Sequence, residues 1–208
     1  MKLTLASLLV VSMLGGCASA PDCPQPSEVP AAPAPAEQDP SALAAEAEAA
    51  APGPATVIVF VRHAEKASDG TPDPPLTDRG LRRAQCLATL LRPFEADVLF
   101  SSEYQRTRNT VKPLSEAIGV EAQVIEAGDA KAWGEALQGV PAGSHVVVSG
   151  HSNTIPAWVQ ALGAKLPGLD EHGNIPHDDY DRMIQVVLDG QGQLLTSYTT
   201  AYCTEPAG

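Results

Sequence analysis

Thr56-Val-Ile-Val-Phe-Val61, running straight into Arg62-His63-Ala64-Glu65-Lys66, decides how this chain reads. The apolar run is rich in β-branched residues and too short for a helix, which predicts a buried strand. Ligands of open α/β sheets gather outside the carboxyl ends of the strands. Arg62 and His63 stand at such an end. A guanidinium beside an imidazole suits a phosphate: the Arg neutralises and orients it, and the His can attack it.

Two further apolar runs end in the same way. Asp97-Val-Leu-Phe100 leads into Ser101-Ser102-Glu103-Tyr104-Gln105-Arg106-Thr107-Arg108-Asn109-Thr110, and His145-Val-Val-Val-Ser149 leads into Gly150-His151-Ser152-Asn153. With Arg62-His63 and Glu65, the Ser102-x-x-x-Arg106-Thr107-x-x-Thr110 element and Gly150-His151-Ser152, the chain from Thr56 to Tyr202 resembles the histidine phosphatase superfamily, also called phosphoglycerate mutase-like. The first motif has Ala64 where the family's usual Arg-His-Gly has glycine. That departure matters only if position 64 needs a positive φ.

The resemblance implies a three-layer α/β/α sandwich with a mostly parallel mixed sheet. The residue pattern agrees. After strand one and the polar loop 67–75, Thr77 is the expected N-cap of a helix with Leu81, Ala84, Ala88 and Leu91 at helical spacing, and Pro93 ends it. A helix is expected from Tyr104 to Ile118, closed by Gly119, then a strand from Glu121 to Ile125 and a helix from Ala130 to Leu137. Strand four is His145 to Ser149, and Thr154 to Leu162 is helical. Met183 to Leu188, the Asp189-Gly-Gln-Gly192 turn and Gln193 to Tyr202 form a hairpin. Strands alternating with helices predict a largely parallel sheet covered on both faces, with an antiparallel edge from the hairpin.

The resemblance also implies roles. His63 is the expected nucleophile, taking the phosphoryl group and passing it to water. Arg62, Arg106 and a protonated His151 are expected to hold the three equatorial phosphoryl oxygens, since phosphoryl transfer asks mainly for alignment and charge neutralisation. Arg108 competes with Arg106 but is expected to face solvent. Thr107, Thr110 and Asn153 read as either substrate contacts or helix caps, with the cap favoured for Asn153. Glu126, at a strand end, is the first choice for the acid that protonates the leaving group, with Asp129 next; a good leaving group would need no acid. The segment Asp170 to Asp181, with His172 and His177, reads as a polar loop at the rim, since its spacing matches no metal-ligand set. No metal and no cofactor are expected.

The 208 residues carry 13 Lys and Arg against 25 Asp and Glu, a net charge of −12. That argues against nucleic acid, which demands a basic face. An acidic chain with a local basic pocket fits a small phosphorylated substrate.

The N-terminus reads as a targeting segment. Lys2 and the apolar stretch Leu3 to Leu14 are too short for a stable transmembrane anchor. The ending Leu14-Gly15-Gly16-Cys17 resembles a bacterial lipoprotein signal, with residues 1–16 removed and Cys17 lipidated. Ala18, rather than Asp, leans towards the outer membrane, so the expected place is the cell envelope, facing the periplasm. Residues 17–55, dominated by Pro, Ala and Glu, read as a tether that cannot bury enough surface to order itself. The domain is expected over 56–208. Cys23, Cys86 and Cys203 leave an odd count: a Cys86–Cys203 bond, a pairing of Cys23, and three free thiols are all open.

Two functions follow. One is a lipid-anchored, metal-independent phosphatase working through a phosphohistidine on His63. The other is a non-catalytic phospho-ligand-binding lipoprotein of the same fold. Arg62, His63, Arg106 and His151 together favour the enzyme.

Overall fold

The computed structural model describes residues 53–204. The expected signal peptide, Cys17, Cys23 and nearly all of the expected tether lie outside the described residues. Seven-residue β1 (Thr56–Arg62) opens the fold. It is followed by α1 (Asp78–Leu91), a 3-10 turn (Arg92–Phe94), β2 (Val98–Ser102) and α2 (Gln105–Ile118). Then come β3 (Ala122–Ile125), α3 (Ala130–Gln138), β4 (His145–Gly150), α4 (Ile155–Ala161), β5 (Arg182–Leu188) and β6 (Leu194–Ala201).

The six strands form one sheet in the order β3-β2-β4-β1-β5-β6. The pairs β3–β2, β2–β4 and β4–β1 are parallel; β1–β5 and β5–β6 are antiparallel. The sandwich is therefore the expected mixed one, with the hairpin adding its antiparallel edge. Pleating sends alternate side chains to opposite faces. Ile58, Phe60, Val146 and Val148 meet Trp133 of α3 and Trp158 and Val159 of α4 on one face. Val59, Val61, Leu99 and Val147 meet Leu87 and Leu91 of α1 and Val111 and Leu114 of α2 on the other. The Trp133 and Trp158 rings stack at 4.0 Å, and the Trp133 indole donates to the Glu126 carbonyl.

Helix α1 starts where the sequence predicts. The Thr77 hydroxyl accepts from the Gly80 amide at 3.1 Å, a cap contributing about 1 kcal/mol. Gly80 has a second reason to be glycine: a Cβ there would fall 2.2 Å from the Glu65 carbonyl oxygen. Leu81 corrects the expected apolar stripe. It is 52 % exposed, and the buried face of α1 is carried instead by Gly80, Arg83, Ala84, Leu87, Ala88 and Leu91. The buried Arg83 holds a place on this face that apolar residues alone do not define. Helix α2 ends on Gly119 at φ 73°, as a left-handed C-cap requires.

Cys86 of α1 and Cys203, just after β6, are joined by a disulfide, which settles the pairing in favour of these two. Among the described residues no helix is long and apolar enough to cross a membrane.

Candidate active site

The strand order makes the site. β2, β4 and β1 are neighbours running the same way, so Ser102, Gly150 and Arg62 end at one level, with Arg62 paired to Gly150 in register. The three motifs, far apart in sequence, meet at the carboxyl ends of three adjacent strands. His63, His151, Arg62 and Arg106 come together there. The His63 and His151 rings lie 5.5 Å apart. Both histidines feel the charges of Arg62 and Arg106.

His63 is buried, and its Nδ1 lies 2.8 Å from the Ala64 carbonyl. A carbonyl only accepts, so Nδ1 carries the proton and Nε2 keeps its lone pair. Burial, helped by the neighbouring cations, pushes the His63 pKa down to about 3, so the ring is neutral at physiological pH. Ala64 is fully buried beside Leu76 and Ala84, and its amide donates to the Thr110 hydroxyl at 2.9 Å. The only described non-glycine residues with left-handed φ are Glu95 and Cys203. Position 64 therefore accepts alanine without strain.

Arg62 is clamped. Its Nη1 donates to the carbonyls of Pro176, His177 and Asp179 at 2.9, 2.8 and 3.3 Å, and the Tyr180 ring covers the guanidinium at 4.3 Å. The loop before β5 is thus more than a polar rim. Burial lowers the Arg62 pKa against the opposing pull of Tyr180 and the nearby carboxylates.

Arg106, at the start of α2, lies over the Tyr104 ring at 4.0 Å and pairs with Asp73 at 3.4 Å. The Asp73 carboxylate also accepts from the Gln105 backbone amide, and the Gln105 side-chain amide donates to the Asp73 carbonyl. Tyr104, the N-cap residue, gives no side-chain cap, so Asp73 supplies it from another loop. The Nε–H groups of both Arg62 and Arg106 are buried and have no hydrogen-bond partner among the described residues. Buried donors are seldom left unmade, and each costs free energy until an acceptor arrives.

His151 is buried, with Nε2 2.8 Å from the Ser102 hydroxyl and the Tyr104 ring edge-on at 5.2 Å. Burial, then Arg106 and Arg62, push its pKa down to about 4 against the weaker pull of Asp73. The ring is therefore neutral at physiological pH in this structure. Desolvation outweighs any attraction when no anion is present.

The remaining expected residues fall as follows. Arg108 is exposed, as anticipated. Thr107 and Thr110 do not cap α2. Thr110 accepts from Ala64 and donates to the Arg106 carbonyl, and Thr107 lies against Ser102, so both tie one motif to another. Asn153 is no cap either; Thr154 takes that position, and Asn153 lines a cavity of about 250 Å³ between α3 and α4. Asp129 caps α3 by accepting from Ala132. Glu126 is exposed just beyond β3, at the same end of the sheet as the site, and its carbonyl holds the Trp133 indole. A cavity of about 660 Å³ lies at the opposite end of β1, where Asp189 is its one acidic lining residue.

Sequence reasoning missed Tyr180, Tyr104, Asp73 and the Glu65–Arg83 pair. Glu65, directly after the first motif, accepts from Nε and Nη2 of Arg83, and Arg79 adds a contact at 3.0 Å. Burial pulls the Glu65 carboxyl upward, but the arginines outweigh it and leave its pKa lowered. A carboxylate following Arg62-His63 and an arginine on the buried face of α1 were the available signals.

Residues 58–134 match the model of the histidine phosphatase superfamily (branch 1). Solved structures share its fold. A protein assigned as a phosphohistidine phosphatase, SixA, from Nakamurella multipartitia is 24% identical with a TM-score of 0.52, over 74% of this chain and 99% of that one. The protein histidine phosphatase SixA complexed with tungstate is 22% identical with a TM-score of 0.53, over 71% and 97%. A mycobacterial glucosyl-3-phosphoglycerate phosphatase is 17% identical with a TM-score of 0.53, over 73% and 100%. None of the curated proteins matches the sequence.

Proposed function

We propose that this protein is a phosphatase that hydrolyses a phosphomonoester through a phosphohistidine on His63. One observation carries the reading: two buried, unpartnered arginine Nε–H donors, of Arg62 and Arg106, stand around an imidazole whose Nε2 lone pair is free. Such a pocket suits an anion with several acceptor oxygens and an electrophilic centre. A phosphoryl group has both.

In the proposed reaction the His63 Nε2 lone pair attacks phosphorus as the bond to the leaving oxygen breaks. Arg62, Arg106 and His151 hold the equatorial oxygens, supplying fixed charge where negative charge is shared in the transition state. Nδ1–H stays bonded to the Ala64 carbonyl and stabilises the phosphorylated ring. Water then attacks phosphorus, the P–N bond breaks, phosphate leaves and neutral His63 is restored. The leaving oxygen takes its proton from an acid, for which Glu126 is proposed. Asp73, beside Arg106, is the competing carboxylate. Comparing Glu126→Gln with Asp73→Asn on good and poor leaving groups decides between them. The two arginines supply the positive charge a metal would otherwise bring, so turnover is expected to survive chelation.

The substrate is proposed to be a small phosphorylated molecule. The names of the structural relatives offer phosphohistidine and a phosphorylated glucosyl-glycerate as starting points for a screen. The protein is further proposed to be held in the bacterial envelope by a lipid on Cys17. The Cys86–Cys203 disulfide supports export, because such bonds persist in oxidising compartments. Fractionation of wild type and Cys17→Ser, with mass analysis of the N-terminal peptide, tests this; an unlipidated wild type refutes it.

Rapid-quench labelling with a radioactive phosphomonoester, followed by peptide mass spectrometry, tests the mechanism. Phosphate is expected on His63, with neither label nor turnover in His63→Ala. Phosphate on His151, or undiminished turnover in His63→Ala, overturns the reading.

A further inference from the structure

Behind His151 lies a short buried chain of hydroxyls. Ser102 and Thr107 are completely inaccessible to solvent. Ser102 Oγ stands 2.8 Å from His151 Nε2 and 2.7 Å from Thr107 Oγ1. Thr107 Oγ1 stands 2.7 Å from the Tyr104 carbonyl and 3.1 Å from the Ser102 carbonyl. Each short contact between polar atoms needs one proton between them; without one, two lone pairs face each other in a site no water can relieve.

The protons can be counted. Three short contacts run in series, from the Tyr104 carbonyl through Thr107 and Ser102 to His151. A carbonyl has no proton to give, and the two hydroxyls have one each. The single Thr107 proton goes to its carbonyl neighbours, the nearer of Tyr104 and the farther of Ser102, neither of which can return one, so the Ser102 proton goes to Thr107. The third contact must then be filled from the ring itself.

We infer that resting His151 carries its proton on Nε2, donated to Ser102, and presents an unprotonated Nδ1 to the site, so that binding a phosphate dianion takes up one proton from solvent. A bare Nδ1 would set a lone pair against a phosphoryl oxygen. The proton taken up sits on Nδ1 and converts repulsion into a charge-assisted hydrogen bond. The inference rests on the phosphate-binding reading above and goes beyond it: His151 is a proton carrier switched on by the anion, and Ser102 and Thr107 are positioning residues that set its tautomer.

The charged and titratable groups around His151 are consistent with this. Arg106 from α2 and Arg62 from β1 disfavour the imidazolium, and Asp73 from the loop before α1 favours it less strongly. Neutral His63 and the Tyr104 phenol flank the ring. The empty site thus keeps His151 neutral, with its pKa near 4. An incoming dianion cancels the two guanidiniums and lets the proton on.

Nitrogen-15 spectra of the full chain labelled at histidine, without ligand at neutral pH, read the tautomer directly. The His151 signals, assigned by their loss in His151→Asn, are expected to show protonated Nε2 and bare Nδ1. A proton on Nδ1 alone, or on both nitrogens, overturns the inference. Thr107→Val removes one contact in the series and frees the Ser102 proton for Nε2, so the resting proton is expected to move to Nδ1; an unchanged tautomer in that variant also overturns it. Titration calorimetry with inorganic phosphate, above its second ionisation and in buffers of different ionisation enthalpy, is expected to show about one proton taken up by wild type and far less by Thr107→Val. Zero uptake by wild type overturns the coupling. If phosphate does not bind at all, the phosphatase reading fails, while the spectra of the empty protein still decide the tautomer.

Discussion

Arg83 holds both carboxylate oxygens of Glu65, by Nε at 3.1 and 3.0 Å and by Nη2 at 2.8 Å, while its Nη1 reaches the carbonyls of Tyr202 and Cys203 at 3.3 and 3.1 Å. One guanidinium so fastens the residue two places after His63 to α1 and to the end of β6. Burial lowers the Arg83 pKa, but Glu65 more than restores it, leaving it raised. Arg83→Met keeps the volume and removes the buried partner of a mostly buried carboxylate, which keeps its contact with the half-exposed Arg79. A loss of roughly 2–4 kcal/mol is expected in urea unfolding, at the low end of what breaking a buried pair costs. Glu65→Gln should be milder, and a stability equal to wild type in Arg83→Met would remove the anchoring role.

Stability should fall in acid for a reason that lies in the site itself. Both histidines have folded-state pKa values, about 3 and about 4, below the ordinary 6.5. The unfolded chain therefore binds protons that the folded chain refuses. Stability conferred by the neutral rings is full above about pH 6.5, declines as pH falls from there towards 4, and levels off below about 3. Saturating tungstate should flatten this decline by letting protons onto the folded protein. Melting temperatures across pH 7 to 4, with and without tungstate, check it; a flat profile without ligand contradicts the neutral rings.

Removing the disulfide is the third test. Cys86 and Cys203 are separated by 117 residues, so the bond constrains a long loop of the unfolded chain. The Cys86→Ala/Cys203→Ala variant is expected to lose roughly 2–4 kcal/mol. At about 2–4 °C per kcal/mol, that lowers the melting temperature by roughly 4–16 °C. Thermal unfolding in the presence and absence of reductant measures it, and reductant should not affect the double variant.

The two site arginines should not be equivalent. Arg106→Ala removes charge and one Nε–H donor while leaving His63 in place, an expected loss of about 3–4 kcal/mol of transition-state stabilisation. Arg62→Ala removes the same kind of donor and also releases Pro176, His177, Asp179 and Tyr180. It should therefore cost at least as much rate and, unlike Arg106→Ala, speed amide exchange in residues 175–181. Equal exchange in the two variants would separate Arg62 from the loop.

The fold was legible because its signals are local. β-branched runs, Thr77, Pro93 and Gly119 each act within a few residues. The gathering of Arg62, His63, Arg106 and His151 was legible because parallel strands present their carboxyl ends together. What escaped depends on partners far along the chain. Tyr180 reaches Arg62 across 118 positions, and Ser102 meets His151 across 49. Thr107 and Thr110 looked like caps because threonine caps helices, and no local pattern distinguishes a cap from a hydroxyl bonded to another motif. Leu81 misled because the polar Arg83 occupies the buried face that an apolar count assigns to leucine.

Arg83 takes its two carbonyl acceptors from residues 119 and 120 positions further on. During synthesis, then, Arg62, His63, Arg106 and His151 all exist well before the residues that complete the anchor behind Glu65. A ribosome-held chain that stops short of the β5–β6 hairpin would own every group proposed to touch phosphate and still be unfinished as an enzyme. Competence should arrive late and in one step, when the final strand docks.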